Sequence, residues 1–253
     1  MRARPRAAFA YPSDYGSNLF AEPTYMFTAL DIYHDTTAHA AAMNMAIDEA
    51  LLETATAASI RFYRWQSPAL SFGYFGKFTD VAIYAAERDL VRRWTGGGIV
   101  FHGDDLTYSI VIPASVPAFD ESSMVIYEKI HRALCEALAG RDQGLELAPV
   151  ATLNHRRTGD RRSLDDDCFA NPVRADVMMD GRKIAGAAQR RTRRGLLQQG
   201  SIQGIAMKTD LAQKFAQALS ANCSEFELNE EIYRRGQELA QQKYGTESWL
   251  RKR

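Results

Sequence analysis

Apolar side chains recur along this chain with two periods, and each period predicts a different kind of element. Over residues 39–53, "HAAAMNMAIDEALLE", Met43, Ile47 and Leu51 fall at i, i+4 and i+8, the stripe of an amphipathic helix. The spacing returns at Ile126, Ile130, Leu134 and Leu138, where Ser122 or Ser123 offers an N-cap hydroxyl and Gly140 a stop. Further helices are expected near residues 80–90, 210–219 and 229–244. Between them lie β-rich runs. "SIRFYRWQ" reads as a strand ended by Ser67-Pro68, "ALSFGYFG" as a second, and "GLLQQGSIQG" as another. "GIVFH" and "LTYSIVIP" flank Gly103-Asp104-Asp105 and predict a β-hairpin; "ADVMMDGRKIAGAAQRR" predicts another about Asp180-Gly181. Residues 154–167, "NHRRTGDRRSLDDD", are polar throughout and read as a surface loop.

This order places hairpins between helices, with no alternation of βαβ units, no internal repeat and no Pro/Gly/Ser linker. It predicts one domain, and 253 residues at 46% hydrophobic content suffice for its core. Residues 1–25 are rich in Pro, Ser and Tyr without a sustained apolar run, so they are expected to be an irregular tail before a folded unit at 26–253. Charge changes the picture by what it removes. Thirty-one Lys and Arg balance 31 Asp and Glu, and the basic runs "RRTRR" and "NHRR" carry no interleaved aromatics, so no nucleic-acid partner is expected. No apolar run approaches the ~20 residues that span a bilayer, so no membrane association is expected either. Cys135, Cys168 and Cys223 are far apart, without a CxxC pair. That argues against a structural metal site or disulfide framework and makes a reducing cytoplasm the expected setting.

Three stretches could carry chemistry. "RRWTGGG" offers two fixed positive charges and three glycines that let a ligand approach the backbone, although its spacing is neither a Walker nor a dinucleotide fingerprint. The bland reading is a tight turn. In "DGRKIAGAAQ", Lys183 either guards a sheet edge or points its ammonium into a cavity. Cys135, in a helix, and Cys223, in a loop between the last two helices, fit the usual cysteine role of small buried hydrophobe. Cys168 differs: it follows a polar loop and precedes Pro172, where a loop enters a strand, and function concentrates in such places. Three aspartates just before it would raise its pKa, so filler, metal ligand and catalytic thiol all stay open. His102 is read as closing the first hairpin and His155 as solvated.

Together these residues resemble a family. "RRWTGGGIVFHGDDLTYS" is similar to one signature block of the lipoate-protein ligase and biotin-protein ligase superfamily, and "DGRKIAGAAQRRTRRGLLQQGSI" to another. "MNMAIDEALL" and "ELAQQKYGTESWL" resemble its first and last helices, in the same order. Within it the chain looks most like octanoyltransferases of the LipM type, which carry a catalytic cysteine in a C-F-x-x-P stretch before the lysine strand. "CFANP" stands there, with Lys183 fifteen residues after Cys168. Gly98, where those transferases carry an arginine, and Gln199, where they carry a histidine, depart from the pattern.

The resemblance implies a single α+β domain with a mixed, largely antiparallel sheet flanked by helices. It implies acyl transfer from an acyl carrier protein, through a Cys168 thioester, to a lysine of a lipoyl domain or glycine-cleavage H protein. Cys168 and Lys183 would be catalytic. Arg92, Arg93, Thr95, Gly96, Gly97, Gly98, His102, Gly186 and Ala187 would contact the acyl group or substrate. No cofactor or metal would be required. The alternative is ATP-dependent lipoate ligation, in which Arg92 and the glycines cradle a lipoyl-adenylate, magnesium assists and Cys168 is incidental.

Overall fold

The first helix is wrapped by strands on both sides of it in sequence. In the computed structural model, which describes residues 25–139, 144–149, 172–206 and 209–252, strand β1 (Leu30–His34) leads through α1 (Ala41–Thr54) to β2 (Ser59–Tyr63). There follow β3 (Ala69–Phe72), a short α2 (Phe78–Val81), β4 (Asp89–Arg92), β5 (Ile99–His102) and β6 (Leu106–Pro113). Helix α3 (Ser123–Leu138) precedes β7 (Leu145–Leu147), β8 (Val177–Met179), β9 (Arg182–Arg191) and β10 (Gly195–Ile202). The chain closes with α4 (Leu211–Leu219), β11 (Cys223–Phe226), α5 (Glu230–Leu239), a π-helical turn at Ala240–Tyr244 and α6 (Glu247–Leu250). The strands make an eight-stranded sheet, β11-β1-β2-β6-β10-β9-β8-β7, and a three-stranded sheet, β4-β3-β5. β11-β1-β2 and β3-β4 pair in parallel; the other pairs are antiparallel.

Alternation along the central strands sends side chains to two helical layers. Tyr108, Ile110, Ile112 and Leu196 join the cluster containing Ile126, Ile130 and Leu134 of α3 and Phe215 of α4. Val111, Leu197 and Tyr63 join Met45, Ile47 and Leu51 of α1 and Leu239 of α5. Ser122 caps α3 by accepting from Val125 N, and Asn229 caps α5 by accepting from Ile232 N at 2.9 Å.

Between α1 and the sheet lies a buried charge cluster that hydrophobic patterning cannot announce. Arg61 of β2 uses all five of its N–H groups: on Asp35 Oδ2 (3.1 and 2.7 Å), Asp48 Oδ1 (2.8 Å), and the carbonyl and Oδ1 of Asn44 (3.1 and 2.8 Å). Asp48 also accepts from Ser109 (2.7 Å), Tyr63 (3.1 Å) and Gln199 (2.7 Å), so one carboxylate ties α1 to β2, β6 and β10. Arg61→Met should leave two buried carboxylates without their cation and destabilise the chain by about 3–5 kcal/mol in urea denaturation. A loss under about 1 kcal/mol would mean that the cluster is solvated in solution.

Several expectations need correcting. β5 and β6 are not a hairpin: β5 pairs with β3, while β6 lies between β2 and β10 in the other sheet. Asp105 turns inward instead of capping a surface turn. Its carboxylate accepts from Gly103 N and Thr107 Oγ1, and the chain passes from one sheet to the other. His102 accordingly closes no hairpin. The helix expected at residues 80–90 shrinks to α2 and a 3₁₀ turn at Ala82–Tyr84, and Asp89 opens β4 instead. The Asp89 carboxylate accepts from Ala41 N (2.8 Å), so its role is to receive the start of α1. Parallel crossovers are present: β1–α1–β2 is one. Cys223 opens β11 rather than sitting in a loop. The Asp180-Gly181 hairpin stands as expected, with positive φ at both residues (51° and 75°), the signature of a type I′ turn. Gly140, residues 1–24, the loop at 154–167 and Cys168 lie outside the described residues.

Candidate functional site

The Asp-Gly turn fixes the start of β9, and an irregularity just beyond it fixes Lys183. Met178 pairs with Lys183 but Val177 pairs with Ala185, so β9 carries an extra residue there, a β-bulge of the kind that re-aims a side chain. β9 runs between β10 and β8, so Lys183 is not on a sheet edge. Its side chain is 2% exposed and its Nζ stands 2.8 Å from Asp176 Oδ2. Asp176 also accepts from Val173 N (2.7 Å) and Tyr127 OH (2.5 Å). The Tyr127 hydroxyl in turn accepts from Ala187 N at 3.0 Å. Burial and the Asp176 charge push the Tyr127 phenol up, so it stays a donor to that carboxylate.

Behind this pair stands His131 of α3. The Ala175 carbonyl takes its Nδ1 hydrogen (2.6 Å), so Nε2 accepts from Tyr108 OH (3.2 Å). Burial pushes its pKa down to about 4, which keeps the ring neutral. Ala175 has a φ of 66°, unusual for a residue with a Cβ. Its N–H bond to the Ala148 carbonyl (2.8 Å) and the His131 contact hold that strained turn, which places Asp176 under Lys183. Gly186 supplies the remaining space. A Cβ there would stand 2.6 Å from Lys183 Nζ and 2.5 Å from Cε.

Lys183 borders a small pocket between the two sheets, about 30 Å³ of it open to a water-sized sphere. Met45, Tyr63, Trp65 and Val100 form apolar walls, the Gly186–Ala188 backbone lies along one side and residues 199–201 along another. Ser71, Arg93 and His102 also reach it. They form a line. Asp105 Oδ2 takes the His102 Nδ1 hydrogen (2.8 Å), so Nε2 accepts from Ser71 Oγ (2.7 Å), and Arg93 Nη1 donates to the same Oγ (2.7 Å). Asp105 is further held by Thr107 and Ser201, both at 2.7 Å. The Trp65 ring stacks on His102 at 4.0 Å.

The expected site residues divide accordingly. Lys183, Arg93, His102, Gly186 and Ala187 line the pocket. Arg92 points elsewhere, since successive strand side chains alternate. Its guanidinium donates to the carbonyls of Tyr74 (2.9 Å), Gly76 (2.7 Å) and Leu250 (3.0 Å) and so ties the small sheet to α6. Thr95 donates to Gln199 Oε1 (2.8 Å) and braces a wall residue. Gly96, Gly97 and Gly98 form a turn that Arg93 Nη2 clasps through the carbonyls of Gly96 (3.0 Å) and Gly98 (2.8 Å). Gly73 packs so close to this turn that a Cβ on it would meet the Gly97 carbonyl oxygen at 2.0 Å, and Gly97 has a φ of 86°. Ser71, Asp105, Asp176, Tyr127 and Trp65 were not anticipated. A polar Ser71 inside the buried strand "ALSF", and an Asp176 immediately before a strand, were the available signals. Among the described residues no group of three or more His, Cys, Asp or Glu is placed to hold a metal ion. No described helix is long and apolar enough to cross a membrane.

Comparison with known proteins places this arrangement. The lipoyl protein ligase A/B catalytic domain matches residues 40–231. Octanoyltransferase LipM of Oceanobacillus iheyensis is 37% identical over 190 residues, 71% of this chain and 67% of that protein. Octanoyltransferase LipM of Geobacillus kaustophilus is 38% identical over 170 residues, 64% of this chain and 60% of that protein. The chain thus spans 60–67% of the length of these relatives. A crystal structure of lipoate-protein ligase A bound with ATP aligns with a TM-score of 0.64 at 21% identity, over 87% of this chain and 97% of that one. A bipartite lipoate protein ligase from Thermoplasma acidophilum aligns at 0.65 and 19% identity, over 88% and 96%. These likenesses carry the fold, an α+β domain with mixed sheets between helices. With the family match covering most of its length, the chain belongs to the lipoyl protein ligase A/B catalytic domain family.

Proposed function

We propose that this chain is an octanoyltransferase that moves an octanoyl (or lipoyl) group from an acyl carrier protein, through a thioester on Cys168, to a lysine of a lipoyl domain or glycine-cleavage H protein. The supporting observation is Lys183: a buried ammonium beside an apolar pocket, held at 2.8 Å by a buried carboxylate that is itself fully engaged. Such a cation is placed to receive negative charge that develops nearby. Cys168 precedes Pro172 by four residues in the chain, and the backbone then leads through Val173, whose N–H binds Asp176, to the same pair.

The chemistry closes without a nucleotide. The Cys168 thiolate attacks the carbonyl carbon of the carrier thioester, and Lys183 donates to the developing oxyanion. The new C–S bond forms as the old one breaks, and the carrier thiolate leaves and is protonated. A target lysine amine then attacks the acyl-enzyme; an amide forms, Cys168 leaves as thiolate, and one amine proton must be removed. The apolar walls accept the alkyl chain. The LipM relatives support the transferase reading over the ligase one.

The test is mass spectrometry after mixing the chain with octanoyl carrier protein in the absence of nucleotide. An octanoyl adduct on the Cys168 peptide is expected. No adduct, with AMP released from ATP when lipoate is supplied, would make the chain a ligase.

A further inference from the structure

Strand alternation places Gly186, Ala188 and Arg190 on one face of β9, and the first two line the pocket. Arg190 has no acid to answer it. Among the described residues its guanidinium makes no ion pair, and its buried Nε has no hydrogen-bond partner. Aromatic rings hold it instead: it stands over Trp94 at 5.1 Å and Tyr74 at 5.4 Å. A guanidinium held through its flat face keeps its N–H edge for another ligand.

The same rings gather two more cations. Lys243 Nζ lies 4.4 Å from the centre of Trp94, and Lys252 Nζ lies 5.1 Å from that of Tyr74 and 5.0 Å from that of Trp249. Glu49 answers Lys243, whereas Lys252 is exposed and makes no ion pair among the described residues. Burial pushes the Lys243 pKa down and the Arg190 charge adds to that, against the pull of Glu49. Positive charge is therefore in excess around these rings. The run "RRTRR" at residues 190–194 has no aromatic neighbour in sequence; the fold supplies Trp94 and Tyr74.

Resting on the carrier-protein reading, we propose that Arg190 is the contact for the phosphodiester that ties the donor's pantetheine arm to its carrier, with Lys252 on its flank. Length agrees with this. Lys183 Nζ lies over residue 186, since a Cβ on Gly186 would meet it at 2.6 Å. Arg190 is four residues further, about 13 Å along the strand. From sulfur to phosphorus an extended pantetheine arm is as long as four or five extended residues, roughly 13–18 Å. An acyl carbonyl at the ammonium therefore sets the phosphate at the guanidinium. The surface between them is small and uncharged. Ala188 stands against Gly97, and a Cβ on Gly96 would meet nothing within 4 Å, so that flank of the turn is open. A phosphodiester presents one negative charge on two terminal oxygens, which suits the bidentate edge of an arginine.

Two small donors differing only in the phosphate test the seat. The wild type, Arg190→Ala and Lys252→Ala are given octanoyl-pantetheine or octanoyl-4′-phosphopantetheine over a range of concentrations. Acylation of the chain is read by intact mass, with thermal melts alongside. The wild type should use the phosphorylated donor roughly 10- to 100-fold better in kcat/KM, the difference lying in KM. In Arg190→Ala the two donors should become alike, and Lys252→Ala should lose a smaller part of the preference. A merely structural Arg190 would lower both donors by one factor and keep the preference, which overturns the proposal. Equal use of the two donors by the wild type overturns it with no variant needed. Free phosphopantetheine should compete with the donor more strongly than ATP does; the reverse order would give the seat to a nucleotide and overturn the proposal too. Intact octanoyl carrier protein checks the reading beneath. No acylation from it or from either small donor ends the carrier reading and the seat with it, whereas acylation from it with no preference between the small donors ends the seat alone.

Discussion

Cys168→Ser is expected to carry no octanoyl group after incubation with octanoyl carrier protein. The reacting species at a cysteine is the thiolate, accessible near neutral pH once a cation stands beside it; a serine hydroxyl would need its own base to be deprotonated. The other thiols serve as controls. Burial pushes Cys135 up to about 11, and burial also raises Cys223, so both are poor nucleophiles at neutral pH. Cys135→Ser and Cys223→Ser should therefore form the adduct as the wild type does. Intact-mass measurement reads all three variants at once. An adduct surviving in Cys168→Ser, or vanishing in either control, would move the reaction to another residue.

Lys183→Ala should slow single-turnover acylation of Cys168 by roughly 10²–10³, the loss typical of one oxyanion donor in a water-poor site. It also leaves the Asp176 carboxylate buried with its Val173 and Tyr127 donors but no cation, so melts should show a clear loss of stability. Rates must therefore be compared at a temperature where every variant is folded. Lys183→Arg keeps the charge and answers the stability question, but a planar guanidinium does not fit the gap that Gly186 leaves for a compact ammonium, and the rate should not return. Wild-type acylation in the alanine variant would reduce Lys183 to a structural ion pair.

The elements that could be read in advance were those whose signal is local. A 3.6-residue stripe with a serine cap specified α3, and an Asp-Gly pair between β-branched runs specified the β8–β9 hairpin with its turn type. Pairing across the chain was not legible. "GIVFH" and "LTYSIVIP" look like hairpin partners by spacing, yet the inward Asp105 makes contacts with Ser201, 96 residues away, that no window can see. The short strands β1, β7 and β11 depend on their neighbours for pairing and lack a period of their own. In the site, the glycine run was read as a place where a ligand approaches the backbone; in the structure Gly73 and the Arg93 guanidinium pack against it, and the two arginines before it could not be told apart. Only the alternation of side chains at the end of β4 shows that Arg93, the residue after it, faces the pocket while Arg92 anchors α6. Asp176 and Ser71 were missed because a single polar residue beside or within an apolar strand has no pattern to distinguish it.

The empty space at Gly186 sets a trap for protein engineering. A glycine inside a long strand, with no positive φ, invites replacement, because alanine there restricts the unfolded chain and fits strand geometry. The group it would collide with is the far end of Lys183, with Asp176 Oδ1 next at 3.1 Å. Making room for the methyl group pulls the ammonium off its buried carboxylate, so the gain from a stiffer unfolded chain is set against a broken ion pair. A library ranked by melting temperature would register only the difference between those two effects, and a screen that counts turnover would register the displaced ammonium itself.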